Sequence, residues 1–154
     1  MPPLPEAIAS FLAGRRIAVA GVSRTGQSAG NAVLKKLRVA GYDAIPVNPH
    51  ASVIDGVPCY PDLATIPWTL DGVVIATHPD VAVDVVRQAA RRGVATVWFH
   101  RSFGQGSVSD TAVAECRRLN LTAIVGGCPL MYCEPVDVGH RCMRAVLAWR
   151  KRVP

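Results

Sequence analysis

Ile17-Ala18-Val19-Ala20-Gly21-Val22-Ser23-Arg24-Thr25-Gly26-Gln27-Ser28-Ala29-Gly30 is the stretch that decides the fold. Its first six residues form an unbroken apolar run between Arg15-Arg16 and Ser23, as a parallel strand covered on both faces requires. A glycine-bearing loop follows. From Ser28 to Ala40 the residues Ala29, Val33, Leu37 and Ala40 then recur at helical spacing, with Ser28 as N-cap and Gly41 as the stop. Strand, glycine turn and helix make the first half of a βαβ unit.

The same alternation continues outward. Ala44-Ile45-Pro46-Val47 is a second strand, placed by its proline at an edge or a strand end. Asp55-Gly56 marks a turn, and Val57-Pro58-Cys59-Tyr60-Pro61 reads as extended loop. Asp71 to Thr77 holds a third strand (Val73-Val74-Ile75-Ala76), Val94 to Phe99 a fourth and Leu121 to Val125 a fifth. Helices are predicted at Glu6–Leu12, Val81–Arg92 (stripe Val81, Val85, Val86, Ala89), Ser109–Leu119 and His140–Arg152, with Asp80 as a candidate cap for the second of these. The expected fold is a doubly wound α/β domain with a mostly parallel five- or six-stranded sheet and helices on both faces. It is expected as one domain over 1–154, with an N-terminal helical segment at 1–14 and a basic C-terminal helix at 140–154.

Composition removes several function classes. The chain has 154 residues, 50% hydrophobic and 18% charged, which excludes a disordered polymer. No apolar run approaches the ~18 residues of a membrane span. The opening Met1-Pro2-Pro3-Leu4-Pro5-Glu6 lacks the basic and apolar regions of a secretory signal, so a cytoplasmic location is expected. Of 17 basic residues, five (Arg141, Arg144, Arg150, Lys151, Arg152) lie in the last fourteen positions, leaving 12 against 11 acids elsewhere. The net charge of +6 is thus a property of the tail, and nucleic acid is not the expected partner. The five cysteines form no C-x-x-C, and reduced thiols are expected.

Ligands of such sheets lie at the carboxyl ends of the strands, which singles out four tips. The first, Gly21-Val22-Ser23-Arg24 with Ser28 and Gly30 beyond, has the glycine that lets a ligand approach and a helix start suited to phosphate. It spaces like a P-loop but carries Gln27 in place of the lysine, against NTP hydrolysis. The second, Val47-Asn48-Pro49-His50, lacks the acid an NAD ribose wants, so a phosphorylated ribose fits better, with His50 or Arg24 as its charge partner. The third is Thr77-His78-Pro79. The fourth is Phe99-His100-Arg101, where a polar pair leaves the core at the ligand edge. Cys128, Cys133, His140 and Cys142 give C-x4-C-x6-H-x-C, irregular for zinc, and no base is spaced to activate Cys128. No catalytic residue and no metal site is expected.

These tips resemble those of the small single-domain CoA-binding proteins, relatives of the CoA-binding domain of succinyl-CoA synthetase α subunits and ADP-forming acyl-CoA synthetases. The resemblance spans about Ile17 to Arg144. It rests on Ala18-Val19-Ala20-Gly21-Val22-Ser23, Ile45-Pro46-Val47-Asn48-Pro49, Ile54-Asp55-Gly56-Val57-Pro58-Cys59-Tyr60, Asp71-Gly72-Val73-Val74-Ile75, Val97-Trp98-Phe99 and Cys128-Pro129-Leu130-Met131. Glu134-Pro135-Val136 with His140 is similar to one subgroup. The resemblance implies a Rossmann-like domain holding coenzyme A, or an acyl-CoA, across the strand tips. Gly21-Val22-Ser23 and Ser28 would take the pyrophosphate, and Val47 to His50 would border the adenosine. Thr77-His78-Pro79 and Trp98-Phe99-His100 would line the remaining groove. His100, followed by Arg101-Ser102-Phe103, stands where relatives often carry glutamine. The expectation is a non-catalytic carrier, sensor or accessory module, as a homodimer or beside a partner enzyme. The alternatives are an NADP-binding or acyl-CoA-acting enzyme using His78, His100 or Cys128, and a protein that docks an acidic partner through its tail.

Overall fold

The computed structural model describes residues 3–102 and 104–154; Met1, Pro2 and Phe103 lie outside the described residues. Five parallel strands, β1 (Arg16–Ala20), β2 (Asp43–Val47), β5 (Gly72–Ile75), β6 (Thr96–Phe99) and β7 (Thr122–Val125), pair in the order β2-β1-β5-β6-β7. The apolar runs read from the sequence are these strands. The fold is Rossmann-like α/β.

Helices cover both faces. On one side α1 (Glu6–Ala13), α2 (Ala29–Val39) and α5 (Val138–Trp149) pack over Ile17, Val19, Val74, Trp98 and Ile124. On the other, α3 (Pro79–Arg91), α4 (Asp110–Arg118) and residues from Leu63 to Leu70 cover Ala18, Ala20, Val73, Ile75, Val97 and Phe99. Successive side chains of a strand point to opposite faces. Trp98 and Phe99 therefore enter the two cores and are 0% exposed. This corrects the expectation that they line a groove. Trp98 Nε1 donates to the Gly126 carbonyl at 3.1 Å, and its ring meets Phe11 edge-on.

Pro46 does sit in an edge strand, β2. Asn48 N–H donates to the Tyr60 carbonyl, and Tyr60 N–H to that of Pro46, so the edge is partly covered by its own chain. The segment expected as loop after Asp55-Gly56 instead starts as β4 (Val57–Pro58), paired antiparallel with β3 (Val53–Ile54) across that turn. The C-terminal helix begins at Val138, capped by the Asp137 carboxylate on the His140 amide, and ends at Trp149. A short 3-10 turn, Pro129–Met131, leads towards it.

Candidate ligand-binding site

In this order β2 lies on one side of β1 while the chain next returns to β5 on the other. The helices that follow β1 and β5, namely α2 and α3, lie on opposite faces. A crevice must open between two such strands, at the topological switch point. A cleft of about 270 Å³ occupies it. Gly21, Val22, Val47, Asn48, Pro49 and Thr77 line it from the strand tips, with Leu63 opposite and Val81, Asp84 and Val85 from α3.

The turn after β1 is built from its own polar groups. Asn31, 4% exposed, accepts from the Ser23 amide at 2.7 Å through Oδ1 and donates to the Ser23 carbonyl at 3.0 Å through Nδ2. Ser28 Oγ caps the Asn31 amide and donates to the Gly21 carbonyl at 3.0 Å. This is a capping box with asparagine in the third helical position. The first amides of α2, Ala29 and Gly30, have no intrahelical acceptor by construction and present a positive helix end. Asn48 ties the second tip to the first: Nδ2 donates to the Val22 carbonyl at 2.8 Å and Oδ1 accepts from the His50 amide at 2.7 Å.

Gly21, besides lining the cleft, has a packing reason to be glycine. Its φ is +98°, and a Cβ there would lie 2.3 Å from the Ala76 carbonyl oxygen. A Cβ on Gly30 would lie 2.6 Å from the Gly21 oxygen. The residues just after β5 crowd Gly21 and the Gly21 carbonyl crowds Gly30 on α2, so both glycines serve strand and helix packing.

The expected residues divide into three groups. Gly21, Val22, Val47, Asn48, Pro49 and Thr77 come together in the cleft, while Ser28 and Gly30 sit behind it in the turn. Ser23 is half-buried in the turn, and Arg24 and His50 extend into solvent beside it. His78, Pro79 and His100 do not line the cleft. His78, rather than Asp80, caps α3: its Nδ1 accepts from the Asp80 amide at 3.4 Å, and Pro79 follows as the first helical residue. His100 is half-buried, and burial pushes its imidazole below the ordinary value, towards the neutral form. Arg101 turns away from the ligand edge and donates through Nη2 to the Arg152 carbonyl at 3.0 Å.

Two features escaped the sequence reading. Thr77 Oγ1, in the cleft wall, is buried without a hydrogen-bond partner among the described residues. A second groove, about 620 Å³, runs past Gly26, Ser28 and Asn31 along α2 and brings Lys35 and Arg38. Elsewhere the chemistry is quiet. Cys128 is 3% exposed, and burial pushes its thiol up to about 11. Cys142 lies on the exposed side of α5, apart from buried Cys128 and Cys133, and no cluster of three or more metal-ligating side chains occurs among the described residues. No helix among them is long and apolar enough to cross a membrane.

Comparison with known proteins follows the same lines. Residues 15–134 match the family model described as the CoA binding domain. An acetate–CoA ligase (ADP-forming) II of Archaeoglobus fulgidus is 32% identical over 82 residues, which cover 52% of this chain but 12% of that protein. The chain thus spans a small part of the curated relatives it matches. A hypothetical protein from Pyrococcus horikoshii OT3 superposes with a TM-score of 0.73 at 27% identity, covering 80% of this chain and 84% of the other. An acetyl-coenzyme A synthetase from Ca. Korarchaeum cryptofilum, at 24% identity, shares the fold with a TM-score of 0.62 over 71% of this chain and 25% of its own. With the family match running from before β1 to beyond the last strand, the chain belongs to the CoA-binding domain family.

Proposed function

We propose that this chain binds coenzyme A or an acyl-CoA across the β1, β2 and β5 tips, and does so as a carrier, sensor or accessory module without chemistry of its own. The observation that carries the proposal is the switch-point cleft with the orphan Thr77 hydroxyl in its wall. A buried hydroxyl without a partner is costly unless something satisfies it, and a ligand amide or hydroxyl would do so after a small rotation. The free amides of α2 suit a pyrophosphate. The cleft is smaller than a whole CoA, so the ligand would cross the turn, with its adenosine end bordered by Val47 to His50. Arg24 supplies charge and His50 a hydrogen-bonding imidazole for the ribose phosphate, and Lys35 and Arg38 flank the adjoining groove. The non-catalytic reading draws support from the high Cys128 pKa and from His78 being turned onto its own helix.

Titration calorimetry with CoA, acetyl-CoA, 3′-dephospho-CoA, NAD and NADP tests this. CoA and acetyl-CoA are expected to bind, and loss of the 3′-phosphate to weaken binding about tenfold. Arg24→Ala with His50→Ala should erase that tenfold difference. Binding of NADP without any CoA species would sink the proposal, and turnover of acetyl-CoA by the isolated chain would sink its non-catalytic part.

A further inference from the structure

The C-terminal helix carries its apolar stripe on the wrong side for a monomer. Of the twelve residues of α5 only Leu147 is fully buried. At about 100° per residue, Val138, Cys142, Ala145 and Trp149 fall on the opposite face, with Val146 at its edge. All are exposed, Val138 by 75% and Trp149 by 82%. The outward face is therefore apolar with Arg141 on its flank, while Arg144 turns inward, over the Tyr132 ring and onto the Met131 carbonyl.

The stripe has a register. Val138, Cys142, Ala145 and Trp149 follow one another at intervals of four, three and four, the spacing of a coiled-coil seam. The pattern is complementary to itself in reverse. In an antiparallel pair centred between Met143 and Arg144, Trp149 meets the second copy's Val138 and Cys142 meets its Ala145. Val146 then covers the second copy's Gly139, and the Arg141 stem covers its Ala148. Trp149, Val146 and Arg141 each lie against a smaller residue, and Cys142 and Ala145 are both small.

Charge follows the same direction. Glu134 and Asp137 precede the helix, whereas Arg150, Lys151 and Arg152 follow it. Asp137 accepts from the amide and the imidazole of His140, which hold its carboxyl below the usual range, so it is charged at neutral pH. Antiparallel pairing brings acidic ends to basic ends and opposes the helix dipoles. An anionic surface would satisfy the basic end alone. A stripe that is self-complementary under a two-fold axis is the requirement for an isologous contact.

We propose that two copies of this chain form a two-fold dimer through the outward face of α5, packed antiparallel along the Val138–Trp149 seam. This association is independent of ligand binding and leaves the strand tips open. Sedimentation velocity of the ligand-free full chain at micromolar concentration is expected to give twice the mass of one chain. Ala145→Arg and Trp149→Glu should each weaken the dimer by at least about tenfold. Trp149 lies in solvent and Ala145 is exposed at the rim of a groove beside Pro3, Leu4 and Pro5, so the fold is kept. Val39→Glu, at another exposed valine, should leave the dimer intact. Cys142 is the one exposed cysteine, the other four being buried. A short bis-maleimide should therefore give a single covalent dimer that Cys142→Ser abolishes. A monomer at every concentration, or variants that remain dimeric, would overturn the proposal. So would a monomeric wild type that binds phosphatidylserine vesicles or polyglutamate and loses this in Trp149→Glu.

Discussion

The carboxyl edge of the sheet has an open half and a closed half. At the β2, β1 and β5 tips the chain leaves a crevice. At the β6 and β7 tips its own last residues fill the equivalent space. Arg101 reaches the Arg152 carbonyl, the Arg101 amide donates to the Gly127 carbonyl, and Gly126 lies directly beneath Arg152. The Arg152 guanidinium reaches the Gly104 carbonyl. Both halves are strand tips of one parallel sheet. A tip becomes a ligand position only where the following helices diverge to opposite faces and no segment of chain returns over it.

Matched substitutions break this contrast most severely at the glycines. Gly21→Val places a Cβ against the Ala76 carbonyl between two central strands that cannot separate, at a φ that side chains rarely adopt. It is expected to cost more than about 4 kcal/mol and to leave little folded protein in urea titrations. Gly126→Val shares the unfavourable φ, at +97°, and meets the Arg152 carbonyl at 2.4 Å, but there the tail can lift. We expect about 2–3 kcal/mol there, with CoA affinity within twofold of wild type.

Asn31→Ala removes the hydrogen bonds that shape the first turn and should cost about 2–4 kcal/mol while also weakening CoA. Thr77→Val removes a hydroxyl that has no hydrogen-bond partner among the described residues. Stability should stay level or rise by up to about 1 kcal/mol, while CoA affinity falls about tenfold. Arg101→Met should do the reverse, costing about 1–2 kcal/mol with affinity unchanged. Thermal melts paired with calorimetry read both quantities. A Thr77→Val protein that binds CoA as well as wild type would remove the hydroxyl from the site.

The smallest effect lies away from both halves. Glu115 on α4 accepts from Arg118 and from Arg87 on α3, and these hold its carboxyl down at about 2 against an ordinary 4.5. A depressed folded-state pKa gives stability that is full above 4.5 and lost as pH falls from there towards 2. Glu115→Gln should therefore flatten the acid limb of the stability curve in that window and leave the rest of it with the same shape.

The strands were legible because a doubly covered strand has little room for polar residues: after its first residue, each of β1, β5 and β6 is an unbroken apolar run. The β3–β4 hairpin was not, since two-residue strands carry no periodicity; only Asp55-Gly56 betrayed it. All four tips were legible as strand ends, but which way each side chain turned was not. Arg101 and His100 looked alike at a strand end, and only the path of residues 150–153, which have no pattern of their own, decides that Arg101 faces the tail. Asn31 was hidden as a polar residue in a helix, although its place three residues after Ser28 is a capping-box position.

Asn48 sets the time scale of the open half. Its side chain bridges the ends of β2 and β1, its amide is held by Tyr60, and its oxygen fixes the following turn. A floor pinned at three points should open rarely, and hydrogen exchange of the Asn48 amide is expected to be slow. A ligand then enters a preformed cleft, and encounter rather than rearrangement sets its association rate. Differences among CoA derivatives should accordingly appear in how long each one stays.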